Sequence, residues 1–326
     1  MKYKIIPIIL IMISNTLWSH NIDRTNIQNF IATMVEKHDF DSNDLSLILS
    51  KAESKEKILE AISRPAEKRL TWDEYRNIFI KKDRIKAGAA FWHEHNQVLN
   101  KISEETGVDI EILVGIIGVE TYYGRYTGGY RVIDALSTLA FDYPKRSPFF
   151  TKELEAYLLL TREEDMDPFD ATGSYAGAMG SPQFMPSSYR AYAVDADGDD
   201  KRDIWTNWSD VIGSVANYFI EHGWRQGYQI IVPAKIKESD SKPITKDGLK
   251  ATETVKILKD RGIIFDSVMK DDHPSELLYL EQENANNYWV AFHNFFVITR
   301  YNHSIMYALA VHQLGQEISN EVKENK

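Results

Sequence analysis

Apolar residues recur at helical spacing through much of the chain. Phe30, Ile31 and Met34 fall on one face of a helix, and Leu45 and Ile48 begin a second stripe of the same kind. A spacing of three to four residues is typical of an amphipathic helix packed against a core. The same pattern predicts helices over residues 132–141, 147–161, 208–222 and 304–318. The chain is therefore predicted to be mainly helical.

Local signals mark some boundaries of these helices. Asp41 or Ser42 can cap the second helix, because short polar side chains accept hydrogen bonds from the first free amides. Pro65 predicts a break, and Trp72 opens another short helix.

The pattern changes after residue 228. Runs rich in β-branched and aromatic residues predict strands over residues 229–232, 275–280 and 289–299. A polar stretch over 235–248 predicts an exposed loop, and 249–260 predicts a short helix that begins near Thr252. The predicted fold class is mainly α (α+β), with a small β-containing insertion in a helical protein.

One helical segment, residues 112–125, is apolar nearly all round and is therefore predicted to be buried. Gly124 is placed to end it. Glu120 lies near that end, where desolvation favours the neutral carboxylic acid and raises its pKa. A carboxyl group that stays protonated near neutral pH can act as a general acid. The alternative is a structural ion pair between Glu120 and Arg125.

Several sequence blocks resemble the lytic murein transglycosylase B family of bacterial cell-wall enzymes. They occur in the family's order between about Ile62 and Gln316. The blocks are Arg64-Pro65-Ala66-Glu67, Trp72-x-x-Tyr75-Arg76, Gly118-Val119-Glu120-Thr121-x-x-Gly124-Arg125, Tyr143-Pro144-Lys145-Arg146, Gly173-Ser174-Tyr175-Ala176-Gly177-Ala178-Met179-Gly180, Gln183-Phe184-Met185-Pro186-Ser187-Ser188-Tyr189 and Arg300-Tyr301-Asn302-x-Ser304.

The resemblance implies a lysozyme-like helical core with additional helical and β-containing regions. We expect an export signal over 1–19, an N-terminal helical region over 20–104, a catalytic core over 105–227, a small β-containing region over 228–299, and a C-terminal helix over 300–326 that packs on the helical region. The implied activity is cleavage of the β-1,4 bond between N-acetylmuramic acid and N-acetylglucosamine in peptidoglycan, leaving 1,6-anhydromuramic acid ends. A hydrolytic muramidase and a non-catalytic peptidoglycan-binding scaffold are the alternatives.

The resemblance also assigns roles to individual positions. Glu120 matches the catalytic acid and base, Ser174 and Gln183 match residues that bind the glycan, and Lys145 and Arg146 match a basic pair that meets the acidic stem peptides. The family often has arginine at the position of Lys145, and lysine lacks the bidentate fork that suits carboxylates. The groove-lining positions are Tyr75, Tyr218, Tyr301, Asn302 and Tyr307.

An ordinary glycosidase uses a second carboxylate. Asp134, Asp142 and Glu153 follow Glu120 in sequence, but each fits a solvated helix face or a helix cap. The resembled family instead uses one glutamate together with the C6 hydroxyl of the sugar. We therefore predict no second catalytic carboxylate and no organic cofactor.

The loop over 195–210 has the alternating carboxylates of a calcium loop. Asp195, Asp197 and Asp199 occupy the first, third and fifth positions, and the backbone carbonyl of Lys201 occupies the seventh. Asp200 stands where glycine is preferred, and Thr206 stands where a glutamate is expected. The family's motif suggests Asp210 as the later acid. One structural calcium ion is predicted; a solvated acidic loop without metal is the alternative.

Composition bears on partners and location. The net charge of −10 over 326 residues argues against nucleic acid as a partner. Lys2 and Lys4 precede a short apolar run and a cleavage site before His20, which indicates an export signal. The chain has no cysteine, so it lacks the lipid-bearing cysteine of lipoprotein relatives. We expect a soluble periplasmic or exported monomer that binds glycan strands and stem peptides, with other cell-wall enzymes as candidate partners.

Overall fold

The computed structural model describes residues 24–63, 70–236, 248–282 and 288–324. The predicted export signal, the break at Pro65 and most of the predicted loop over 235–248 lie outside these ranges. Within them, no helix combines the length and the apolar character needed to cross a bilayer.

Helices dominate the described ranges, which confirms the predicted fold class. They are α1 (Thr25–His38), α2 (Ser42–Lys51), α3 (Glu56–Ser63), α4 (Trp72–Phe79), α5 (Lys82–Glu94), α6 (Asn96–Thr106), α7 (Ile110–Thr121), α8 (Val132–Asp142), α9 (Ser147–Glu163), α10 (Pro186–Tyr192), α11 (Trp208–Glu221), α12 (Val255–Asp260), α13 (His293–Tyr301) and α14 (Ile305–Glu324). Asp41 caps α2 as predicted, because its side chain accepts hydrogen bonds from the amides of Asn43 and Asp44.

The strands form two antiparallel sheets. They are β1 (Tyr130–Arg131), β2 (Thr172–Gly173), β3 (Ile231–Ile236), β4 (Glu253–Thr254), β5 (Ile263–Ile264), β6 (Pro274–Tyr279) and β7 (Tyr288–Phe292). The first sheet pairs β1 with β2, and the second has the order β4-β6-β7-β3-β5. The five-stranded sheet packs α12 against a small core that includes Val255, Leu258 and Leu277. This is the predicted β-containing region.

The main core is built around α7, which α14 crosses closely. A β-carbon at Gly115 would lie 2.5 Å from the carbonyl oxygen of Val311, and one at Gly315 would lie 2.1 Å from that of Glu111. Only glycine permits backbones to approach this closely. The last helix of the chain therefore lies directly on the helix that carries Glu120.

Four predicted boundaries were wrong. The strand predicted over 229–232 is β3, which begins only at Ile231 and continues to Ile236, into the predicted loop over 235–248. The run 289–299 is not one strand: β7 ends at Phe292 and α13 begins at His293, because Phe295 and Ile298 are buried at helical spacing. The predicted helix over 249–260 starts only at Val255, after the short strand β4. The last helix continues to Glu324, since Ile318 and Val322 extend its buried face.

The end of α7 also differs from prediction. The helix stops at Thr121, because Tyr122 already adopts the left-handed conformation that Gly124 was expected to introduce. The sheet of β1 and β2, which joins the segments before α8 and after α9, had no predicted counterpart.

Candidate active site

Glu120 occupies the last turn of α7, where eight consecutive preceding residues are buried. The hydroxyl of Thr121 donates a hydrogen bond to the carbonyl oxygen of Ser181, 3.0 Å away, and this ties the helix end to the loop before α10. Tyr122, Tyr123 and Gly124 follow with φ of 53°, 58° and 78°. Two consecutive non-glycine residues in this region carry strain of about 1–2 kcal/mol each. The chain therefore turns sharply directly after Glu120.

The Glu120 carboxylate is partly buried and has a phenolic partner. The hydroxyl of Tyr307, on α14, donates a short hydrogen bond to Oε1 of Glu120. Burial raises the pKa of Glu120 to about 7, and the hydrogen bond from Tyr307 opposes that rise. The carboxyl group is thus poised to give up and to take a proton near neutral pH.

Tyrosines from three separate helices surround this carboxyl group. Burial raises the pKa of Tyr75, Tyr301 and Tyr307, and the nearby charge of Glu120 adds to the rise in each. Tyr75 comes from α4, and its ring lies 5.2 Å from that of Phe79. The hydroxyl of Tyr301 donates to the carbonyl oxygen of Pro182 at 2.7 Å. The structure therefore brings together three of the predicted groove residues with Glu120.

Tyr218 and Asn302 complete the predicted groove set. The ring of Tyr218 lies 4.8 Å from that of Tyr301, and its hydroxyl donates to the carbonyl oxygen of Arg300 at 2.7 Å. Tyr218 is buried and supports Tyr301 from behind. Asn302 is exposed at the end of α13.

A cavity of about 520 Å³ contains the two predicted glycan-binding residues. The amide nitrogen of Gln183 donates to the carbonyl oxygens of Thr127 at 3.1 Å and Gly180 at 3.0 Å, and its backbone is left-handed. Oγ of Ser174 accepts a hydrogen bond from the amide of Ala178 at 3.1 Å, which stabilises the turn that carries it. The other polar and aromatic residues that line the cavity are Arg125, Tyr126, Thr127, Tyr130 and Tyr175.

A larger cavity of about 580 Å³ lies elsewhere, between α4, the five-stranded sheet and α14. Neither Glu120 nor Ser174 lines it. We place the candidate active site by its chemistry, at Glu120 and the Ser174 cavity.

The predicted basic pair stands at the start of α9. The Arg146 guanidinium lies over the rings of Phe149 and Phe150, at 4.5 and 5.2 Å, and Lys145 beside it is exposed. These contacts hold Arg146 on its own helix and do not join it to the tyrosines around Glu120.

The other carboxylates near Glu120 in sequence have structural partners. Asp134 accepts hydrogen bonds from Arg131 and from the amide of Glu53, and Glu153 accepts them from the amide and hydroxyl of Ser187. Asp142 pairs with Arg24. That none of the three is a second catalytic group stays a prediction. Asp134 and Glu153 are, however, buried and not on a solvated face as predicted.

The ion pair between Glu120 and Arg125 is not formed. The Arg125 guanidinium instead lies 4.9 Å from the centre of the Tyr122 ring, and that of Arg84 lies at the same distance from this ring. Sequence reasoning missed Arg84 and Tyr122, because a charged residue at a helix start and a tyrosine after a helix give no periodic signal.

The acidic loop brings four carboxylates together. Oxygen atoms of Asp195, Asp197, Asp199 and Asp210 all lie within 4.8 Å of one another. Asp210 is fully buried and accepts hydrogen bonds from the amides of Ala196 and Asp203, both at 2.8 Å.

Several features of this loop suit a hard divalent cation. Asp200 adopts the left-handed conformation (φ 66°) at the position where calcium loops prefer glycine. The backbone amide of Lys201 donates a hydrogen bond to the Asp199 carboxylate. The predicted calcium ligand at this position is the other backbone group, the carbonyl oxygen of Lys201. The clustered acidic oxygens are the donors that calcium prefers, so the residues present fit the ion.

Comparison with known proteins decides the family. The transglycosylase SLT domain model matches residues 23–316. This chain belongs to that family. It is also 42% identical over 303 residues to membrane-bound lytic murein transglycosylase B of Escherichia coli. The aligned region covers 90% of this chain and 82% of the relative. The protein is a lytic transglycosylase, and the recognition made from its sequence blocks is confirmed.

Solved structures of transglycosylases share the fold. SltB1 of Pseudomonas aeruginosa superposes with a TM-score of 0.88 at 46% identity, covering 92% of this chain and 98% of SltB1. The E. coli transglycosylase Slt35 was solved in complex with calcium; it has a TM-score of 0.84 at 41% identity and covers 92% and 95% of the two chains. The more distant SltB3 of P. aeruginosa, at 26% identity, TM-score 0.79 and 90% and 78% coverage, was solved in complex with NAG-anhNAM-pentapeptide.

Proposed function

We propose that this transglycosylase is exported and cleaves the β-1,4 bond between N-acetylmuramic acid and N-acetylglucosamine in peptidoglycan, with Glu120 as its only acid and base. The observation that carries the proposal is the partly buried Glu120 carboxyl group, which lies among tyrosines and has its pKa raised to about 7. The relatives named as murein transglycosylases support the substrate class.

The reaction requires two proton transfers by one group. Protonated Glu120 donates its proton to the glycosidic oxygen as the bond from that oxygen to C1 breaks, and the muramic acid N-acetyl group assists at C1. The Glu120 carboxylate then takes the proton of the C6 hydroxyl while the C6 oxygen bonds to C1. The product is a 1,6-anhydro end, water is not consumed, and Glu120 returns to its protonated form.

A pKa near 7 suits both steps. Burial keeps Glu120 protonated for the first transfer, and the hydrogen bond from Tyr307 stabilises the carboxylate needed for the second. A group with its pKa close to the working pH serves as acid and as base with similar ease.

The surrounding residues bind the glycan in this proposal. Tyr75, Tyr301 and Tyr307 offer aromatic faces and hydroxyls around Glu120, with Tyr218 and Asn302 beside them. The Gln183 amide nitrogen is committed to two carbonyls, so its amide oxygen is the atom left for a sugar hydroxyl. Ser174 lies in the same cavity. Lys145 and Arg146 meet stem peptides, of the kind bound by SltB3.

Calcium is a structural ligand in this proposal. Asp195, Asp197, Asp199 and Asp210 supply carboxylate oxygens, and Lys201 supplies its backbone carbonyl. The structure of Slt35 with calcium supports the choice of ion. The ion neutralises a cluster that would otherwise repel itself and contributes no proton transfer.

Product analysis tests the proposed function. Peptidoglycan digested by the wild-type protein and then reduced with borohydride should give anhydro-muropeptides, which borohydride does not reduce. A hydrolytic muramidase would give products heavier by one water and two hydrogens. If only the reduced, heavier products were released, the enzyme would be a hydrolase and not a transglycosylase of the proposed kind. Recovery of the protein from the cytoplasm with Met1 still attached would contradict export.

A further inference from the structure

A third cavity, of about 570 Å³, is lined by residues of α1, α9 and α10. None of Glu120, Ser174 and Gln183 lines it, so it is separate from the candidate active site. Most of its polar side chains are basic, and we call it the basic cavity. Its charged and titratable side chains are Lys37, His38, Lys152, Glu155, Arg162, Glu163 and Arg190.

The two carboxylates of the basic cavity already have partners. Nε2 of His38 lies 2.7 Å from Oε1 of Glu155, within hydrogen-bond distance. The Arg190 guanidinium forms a forked pair with Glu163, with Nη2 2.7 Å from Oε1 and Nε 2.9 Å from Oε2. A fork of this kind matches the two planar groups to each other. These carboxylates are therefore engaged and leave other cations in the cavity without an ion pair.

Three cations make up this excess of positive charge. In the part of the chain that the structure describes, none of Lys37, Lys152 and Arg162 forms an ion pair with a carboxylate. All three are exposed around one cavity, although the whole chain carries a net charge of −10. Like charges held around one space repel one another, and a bound anion relieves that repulsion. The basic cavity therefore favours an anionic ligand.

The Arg162 guanidinium is held in position by the protein itself. It lies 4.2 Å from the centre of the Phe40 ring, and its Nη1 donates a hydrogen bond to the carbonyl oxygen of His38 at 2.7 Å. Neither contact neutralises its charge, because a ring face and a carbonyl oxygen are both uncharged. A side chain that is already positioned loses less conformational entropy when a ligand binds. Arg162 is therefore preorganised to bind an anion.

The number of free cations indicates the kind of anion. A phosphate monoester carries a charge of about −1.5 to −2 at neutral pH and has three strong acceptor oxygens, so it can serve two lysines and an arginine at once. A carboxylate has one charge and two oxygens.

The rest of the cavity suits an organic group attached to the phosphate. The buried side chains of Ala156 and Leu159 form an apolar part of its lining. Its volume also falls within the range of about 300–1,000 Å³ that is typical of small-molecule pockets. We propose that the basic cavity binds a phosphate monoester, with the phosphate on Lys37, Lys152 and Arg162 and the organic group against the apolar lining. This inference does not depend on the proposed activity.

The test uses a soluble and a lipid form of the same phosphate monoester. Binding of glycerol 3-phosphate is measured by isothermal titration calorimetry, and retention on phosphatidylcholine vesicles with and without phosphatidic acid is measured by sedimentation. At least one monoester should bind saturably. Binding of the soluble ester alone would identify a free phosphate ester as the ligand, and retention on phosphatidic acid vesicles alone would identify a lipid headgroup.

Variants connect the binding to the cavity. The Lys37→Gln, Lys152→Gln double variant should raise Kd at least about tenfold, because two charge-assisted contacts are lost. Arg162→Lys should weaken binding less than Arg162→Gln, since lysine keeps the charge and loses only the fork. Because the three cations are exposed, higher ionic strength should also weaken binding.

A matched control removes the same charge elsewhere. Lys235 and Lys250 are exposed in the β-containing region and do not line the basic cavity, so the Lys235→Gln, Lys250→Gln double variant should bind like the wild type. Circular dichroism checks that both double variants fold. Equal weakening in the two double variants would show attraction by surface charge in general and would overturn the site. Absence of saturable binding to either monoester would overturn it as well.

Discussion

Tyr307 donates a hydrogen bond to Glu120 from 187 positions further along the chain. The contact exists because α14 lies directly on α7, with glycines at the closest approach. Burial in this packed region raises the pKa of Glu120, and Tyr307 limits the rise. The C-terminal helix therefore tunes the group that we propose as the catalytic acid and base.

The first prediction concerns the pH dependence of activity. Tyr307→Phe removes a donor that favours the charged carboxylate, so the pKa of Glu120 should rise further. Loss of activity above neutral pH reflects loss of the protonated acid, and this alkaline limb should therefore move to higher pH. The measurement is kcat/KM across pH on purified glycan strands. Tyr218→Phe is the control, because its hydroxyl is bonded to Arg300. An alkaline limb that stays in place would mean that Tyr307 does not tune Glu120.

The second prediction concerns stability. The pKa of Glu120 is about 7 in the folded protein against 4.5 as the ordinary value. Because the pKa of Glu120 is higher in the folded protein, protonated Glu120 contributes fully to the free energy of unfolding below pH 4.5. This contribution is lost as the pH rises through 7. The glutamine of Glu120→Gln cannot ionise. The free energy of unfolding of this variant, relative to that of the wild type, should therefore increase by about 1–3 kcal/mol between pH 5 and pH 8.

Urea unfolding at the two pH values checks this difference. Glu105→Gln removes one exposed carboxylate and corrects for the change in net charge. If the free energies of unfolding of Glu120→Gln and the wild type differed by the same amount at both pH values, the Glu120 carboxyl group would not be desolvated as described.

The third prediction concerns the acidic loop. Calcium that binds only the folded state increases the free energy of unfolding by about 2.7 kcal/mol when its concentration is a hundred times Kd. Calcium should therefore raise the melting temperature of the wild type, and it should do so much less in the Asp197→Ala, Asp199→Ala double variant. Magnesium should have a smaller effect, because it requires a tighter octahedral site.

A matched control lies within the same loop. Asp200→Asn keeps the left-handed backbone accessible and leaves the four clustered carboxylates intact, so it should respond to calcium like the wild type. Identical wild-type melting curves in millimolar calcium and in chelator would show that the loop is a plain acidic turn.

The sequence revealed the parts of the site that depend on local pattern. An apolar run around Glu120 was enough to predict a buried helix and a raised pKa, and alternating aspartates predicted the acidic cluster apart from Asp210. The groove tyrosines came only from the resemblance, because core packing and ligand binding impose the same aromatic pattern. Arg84 and Tyr122 were missed, since their arrangement depends on a strained turn and on contact between α5 and the end of α7.

The boundaries that failed have a common physical origin. Residues 289–299 are rich in β-branched and aromatic residues, so strand propensity favoured one long strand. Tertiary packing instead ends β7 at Phe292 and starts α13 at His293. Gly124 was the obvious end for α7, yet the fold places Tyr122 in the left-handed region instead. Packing overrode local preference in both places.

The most direct test of the central claim is the amount of anhydro-muropeptide that Glu120→Gln releases from peptidoglycan, quantified by mass spectrometry beside the wild type. Glutamine keeps the shape of the side chain but cannot transfer the proton. Release should therefore fall by about 10²–10⁴-fold, while circular dichroism shows an unchanged fold. A folded variant that kept more than about a tenth of the wild-type release, a loss far below that range, would contradict the assignment of Glu120 as the acid and base.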